Sequence, residues 1–90
     1  MDKGQVETRI LIVLAATERA IAWDGASRVE IAKALVSMDH GEISASALDG
    51  LLSAARRAGL LEFRAVFGWR CWNLTKAGRV ALTAGRVDLA

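Results

Sequence analysis

Apolar residues recur at three- and four-residue steps from Val6 through Ile10, Val13, Leu14 and Thr17 to Ile21, which is one face of a helix. Residues 5–22 hold no helix breaker, and Asp2 with Gln5 is a candidate capping box. The middle of this helix, Ile10–Ala16, is apolar almost all round, the pattern of a helix covered on two sides. One cover is the domain core; a partner subunit is the expected other. Trp23-Asp24-Gly25 reads as a turn, with Trp23 packed between the first two helices. Ser27 opens a second helix with Glu30 three residues on, a capping box, and Val29, Ile31, Ala32, Leu35 and Val36 give it an apolar face. Asp39-His40-Gly41 ends it. After Glu42-Ile43, Ser44 caps a third helix. On that helix Leu48, Leu51, Leu52 and Ala55 fall on one side. Ser46, Gly50, Ser53 and Arg57 fall opposite, with Asp49 and Arg56 near the edges.

Beyond Gly59 the period drops to two. Leu61, Phe63 and Ala65 alternate with Glu62 and Arg64, and Trp72 and Leu74 alternate with Cys71 and Asn73. Phe67-Gly68-Trp69 is the reversal between them, so a hairpin of about five residues per strand is expected. Phe67 and Trp69 are expected to fold back onto the body, and Trp72 to lie in the core. Thr75 caps a last helix running to Ala84, closed by Gly85. With no proline and no low-complexity linker, residues 1–90 read as one domain. Its class is α+β, and two short helices joined by a glycine-containing turn make a helix-turn-helix arrangement.

Composition sharpens this picture in three ways. Over half the residues are hydrophobic, high for so small a core, and this again suggests apolar surface facing a second chain. The C-terminal segment, with Val80, Leu82, Val87 and Leu89, is a second candidate dimer surface beside the first helix. The net charge of +2 is unevenly placed. Residues 1–50 carry five Lys/Arg against eight Asp/Glu, and residues 51–90 carry seven against two. A basic second half suits an anionic partner such as nucleic acid. Cys71 is the single cysteine, which fits a reducing cytoplasm. The run Ile10–Ala16 is too short to span a bilayer and lacks a cleavage pattern, so a cytoplasmic or nucleoid-associated protein without membrane contact is expected.

The order helix, helix, helix, hairpin, helix resembles the winged-helix superfamily of DNA-binding domains over roughly Ile10 to Ala84. Two segments carry the resemblance. One is Leu48-x-x-Leu51-Leu52 followed by Ala58-Gly59-Leu60-Leu61; the other is Trp72-Asn73-Leu74-Thr75-Lys76-Ala77-Gly78-Arg79. Both look like small bacterial or phage regulators of the MarR and PadR kind. The hairpin departs from MarR proteins in being short and lacking their Asp-x-Arg. The resemblance implies a winged helix with a three-helix helix-turn-helix core, a two-stranded wing and a C-terminal helix. It also implies a transcriptional regulator that binds double-stranded DNA with its third helix in the major groove.

On that reading Ser44, Ser46, Asp49 and Ser53 reach bases or phosphates, and Arg56 and Arg57 contact phosphate or guanine. Asp49 is repelled by phosphates unless it accepts from a cytosine amine. Arg28 sits where a phosphate would meet a helix N-terminus. Arg64, Arg70 and Lys76 lay a positive strip along a duplex backbone. The mild net charge and the Ser/Ala-rich helix face equally permit a winged-helix module that binds protein and not DNA. Catalysis has little support. One His and one Cys lie far apart, no zinc-ligand spacing and no glycine-rich phosphate loop occur, and His40 reads as a surface group in a turn. No cofactor or metal is expected.

Overall fold

The three- and four-residue spacing of the apolar positions produces helices that can bury only one stripe each, and they bury it against one another. The computed structural model describes residues 3–22, 25–66 and 68–87. Asp2, Trp23, Asp24, Phe67, Leu89 and the side chain of Trp69 lie outside the described residues, and with them the expected cap at Asp2, the packing of Trp23 and the tip aromatics. The chain runs α1 (Lys3–Ala20), α2 (Arg28–Ser37), α3 (Ala45–Arg57), β1 (Leu61–Val66), β2 (Trp69–Leu74) and α4 (Lys76–Ala84), an α+β fold of four helices and an antiparallel hairpin among the described residues.

α1 is the central element and touches α2, α3, α4 and β2. Its Ile10, Val13, Leu14, Ala16 and Thr17 are buried, joined in the core by Ile31 and Leu35 of α2, Leu48, Leu52 and Ala55 of α3, and Leu61 and Leu74 of the hairpin. Each large side chain removed from water in this way contributes about 1.5–3 kcal/mol. The Thr17 hydroxyl, fully buried, donates to the Val13 carbonyl at 2.7 Å, so its polarity is satisfied within the helix. Four neighbours of its own chain thus cover Ile10, Val13, Leu14 and Ala16 in the apolar middle of α1, while Leu11, Ile12 and Ala15 are half-buried. The helix begins and ends about two residues earlier than its pattern predicts. Its last bond is Ile21 N–H to the Thr17 carbonyl, and Ala22 and Gly25 then exchange backbone hydrogen bonds.

The segment expected to be only a turn does more. Ala26 exchanges two backbone hydrogen bonds with Trp72, at 2.9 and 2.7 Å, and lies against β2 as a one-residue third strand. A Cβ on Gly25 would stand 2.8 Å from the Trp72 carbonyl oxygen, so the approach requires glycine there. α2 follows at once. Ser27 accepts from the Glu30 N–H at 3.3 Å and its hydroxyl donates to the Glu30 carboxylate at 3.0 Å, a capping box closed through the hydroxyl. Ile31, Ala34 and Leu35 form its buried stripe. Val29 and Val36, expected on that face, are exposed. They lie seven residues apart on a side of the helix that no other element covers, and Ala34 takes the place expected for them.

Ser44 caps α3 by accepting from the Ala47 N–H at 3.2 Å. At its other end Gly59 takes the left-handed conformation (φ +78°) and Leu60 N–H reaches back to the Ala55 carbonyl. This close turns the buried Leu60 inward and sends the chain into β1. The hairpin strands have six residues each, one more than expected, with Leu61 opposite Leu74, Phe63 opposite Trp72 and Val66 opposite Trp69. Pleating then puts Leu61, Phe63, Ala65, Arg70, Trp72 and Leu74 on one face and Glu62, Arg64, Cys71 and Asn73 on the other.

The motif from Leu74 to Arg79 is explained by packing. Thr75 caps α4 by accepting from Gly78 N–H at 3.1 Å, donates its hydroxyl to the Gly59 carbonyl, and gives its N–H to the Leu60 carbonyl. A Cβ on Gly78 would stand 2.1 Å from the Leu60 carbonyl oxygen, so α4 lies on the α3–β1 junction at a distance that only glycine permits. Past α4 the chain closes on Gly85, and Val87 returns to the core with Leu82 packed beside it. Of the residues expected to form a second dimer surface, Val87 is buried, Leu82 is half-buried and Val80 is exposed at 60%, while Leu89 lies outside the described residues.

Candidate nucleic-acid interface

With Leu48, Leu52 and Ala55 turned into the core, the 100° step leaves Ser46, Asp49, Gly50, Ser53 and Arg57 on the outer side of α3, all exposed. That face is built as the sequence pattern requires: small residues, two hydroxyls, one carboxylate and a basic C-terminal turn. Ser44, the capping residue, is exposed at its start.

One edge of α3 faces the hairpin across a cleft. Asp49 and Ser53, one turn apart on α3, Phe63 and Trp72, opposite each other in the register, and Arg28 and Arg70 line it. The volume between them is about 420 Å³. Phe63 and Trp72 meet edge to face with centroids 4.9 Å apart. One turn beyond Ser53, the Arg56 guanidinium stands over the Phe63 ring at 5.9 Å, tying the end of α3 to β1.

Arg28 reaches the cleft because Ala26 is paired to Trp72. Two residues past the bridge, the first residue of α2 stands beside β2, and Arg70 lies two residues before Trp72 on the antiparallel strand. The Arg28 guanidinium donates to the Asp49 carboxylate at 3.1 Å. Both side chains stay about half exposed, at 45% and 54%. Arg28 is therefore not the free cation at a helix N-terminus that the sequence suggests. Among the described residues no carboxylate pairs with Arg70, and the cleft carries two guanidinium groups against one carboxylate.

Two expected members lie elsewhere. Arg64 sits on the opposite face of the hairpin from Arg70 and pairs with Glu62 at 2.8 Å. The expected common strip is divided because the register sets Arg70 opposite Ala65 and Arg64 opposite Cys71. Lys76 begins α4 at the far end of the hairpin from its tip, exposed beside Arg79 and Val80. Trp72, expected in the core, is half-buried and packs against it, and with the half-buried Phe63 it lines the cleft. Their signal was the period of two, which puts Phe63 on the face of Leu61.

His40 is exposed, and among the described residues no three His, Cys, Asp or Glu side chains are grouped to hold a metal ion. No described helix is long and apolar enough to cross a membrane. No family model, curated protein or solved structure matches the chain.

Proposed function

We propose that the chain is a winged-helix DNA-binding domain of a transcriptional regulator, with the outer face of α3 in the major groove and the hairpin as the wing. The observation that carries this reading is the cleft itself. A helix face of small and hydroxyl residues, ending in Arg56 and Arg57, stands beside a hairpin that presents Arg70 toward it. Small side chains let the backbone approach base edges, and the flanking guanidinium groups suit phosphates. In this reading Ser46, Gly50 and Ser53 face the groove, Arg57 and Arg70 hold the backbone, and Arg64 and Lys76 lie off the main footprint.

Binding to a labelled mixed-sequence duplex tests it. The dissociation constant should rise steeply between low and moderate salt, with a logarithmic slope of about 0.9 per phosphate contacted. Absence of binding at low salt refutes it. Two observations favour a second reading, a winged-helix module that binds protein: the Asp49 carboxylate stands on the outer face of α3, and Val29 and Val36 are exposed on α2. A homodimer remains part of the proposal. Its contact would use Val80 and the half-buried Leu11 and Ile12 of α1.

A further inference from the structure

We propose that Asp49 is an internal stand-in for a phosphate, holding Arg28 until a nucleic-acid backbone displaces it. This rests on the DNA-binding reading above. Three features of the cleft point to it. Asp49 is the only carboxylate on a helix face otherwise made of hydroxyl, small and basic residues. Its partner is not a neighbour on the same helix but Arg28, 21 residues away at the start of α2. The pair stands in the cleft that Arg70 also lines.

The exchange is physically accessible. An exposed ion pair is held weakly, and both partners here are about half open to water. A phosphate offers Arg28 a charge-assisted contact of the same geometry as the carboxylate, and its arrival releases condensed counterions. Arg28 and Arg70, which line the same cleft, can then hold one backbone together. Asp49 thus lowers affinity for arbitrary DNA through its hold on Arg28.

A double-mutant cycle on duplex binding tests this, using Asp49→Asn and Arg28→Gln, both exposed helix positions that tolerate these residues, with thermal melts of all four proteins as the folding control. Asp49→Asn should tighten binding to a mixed-sequence duplex about two- to fivefold when Arg28 is present, as expected from an exposed charge pair. It should change affinity far less when Arg28 is already Gln. An equal gain in both backgrounds means plain repulsion by Asp49 and overturns the exchange. No gain in either background overturns it while leaving DNA binding intact. Failure of all four proteins to bind at low salt overturns the DNA-binding reading and the exchange together.

Discussion

Gly78→Ala is the sharpest test of how α4 is seated. The added Cβ would lie 2.1 Å from the Leu60 carbonyl oxygen and 3.1 Å from a Leu74 methyl. The methyl can rotate away; the carbonyl cannot, because it belongs to the α3–β1 junction and accepts the Thr75 N–H. Relief requires α4 to lift by about 1 Å to reach an ordinary contact distance, which also loosens the Thr75 bonds to Gly59 and Leu60. Overpacking of this kind costs about 1–3 kcal/mol. Weakening two hydrogen bonds adds up to about 1 kcal/mol each, and the better helix propensity of alanine returns about 1 kcal/mol. The net loss is centred at about 2 kcal/mol, with an upper end of about 4 kcal/mol. For a domain of this size about 1 kcal/mol shifts the melting temperature by roughly 4–8 °C, so Gly78→Ala should melt about 8–16 °C lower. Gly50 supplies the control. Its added Cβ meets nothing within 4 Å, so Gly50→Ala should gain about 0.5–1 kcal/mol and melt a few degrees higher. Thermal unfolding followed by circular dichroism measures both. A Gly78→Ala protein that melts at or above the wild type would refute the reasoning.

Thr75→Ala removes the cap of α4 and the hydroxyl bond to Gly59, and should cost about 1–2 kcal/mol in urea unfolding with an unchanged m-value, while Thr75→Ser recovers most of it. Arg57→Ala and Arg70→Ala should each weaken duplex binding and lower its salt slope by about one, with unfolding unaltered; if neither does, the backbone contacts are misplaced. Sedimentation at micromolar concentration should show a dimer that Val80→Glu dissociates, and a monomer at every loading would sink the dimer.

The helices were legible because their signals are local. Ile10, Val13, Leu14 and Thr17 declare a buried stripe, and Ser27, Ser44, Thr75 and Gly85 mark ends through bonds that span only a few residues. The outer face of α3 follows from the same periodicity. What the sequence did not show depends on pairing between distant segments. Ala26 has no strand signal of its own and is held only by Trp72. The separation of Arg64 from Arg70 is set by the register of the hairpin, and a shift of one residue would have put them on the same face. The Arg28–Asp49 pair depends on how α2 lies beside α3, which neither helix specifies alone. Val29 and Val36 read as core because a wide apolar stripe does not say which of its edges will find a neighbour.

The Ala26–Trp72 bridge also bears on the order in which the molecule is assembled. Half the chain lies between its two ends, so closing it costs more loop entropy than the contacts between the neighbouring helices α1 and α2 or α2 and α3. The α1–α2–α3 segment can gather through shorter closures, whereas the hairpin reaches Ala26 only after α3 and its Gly59 turn are in place. That docking step is the one that brings Arg70 and Trp72 to Arg28. A nascent or partly unfolded chain can therefore present the helix face without the hairpin side of the cleft, and the complete site coincides with the completely folded chain.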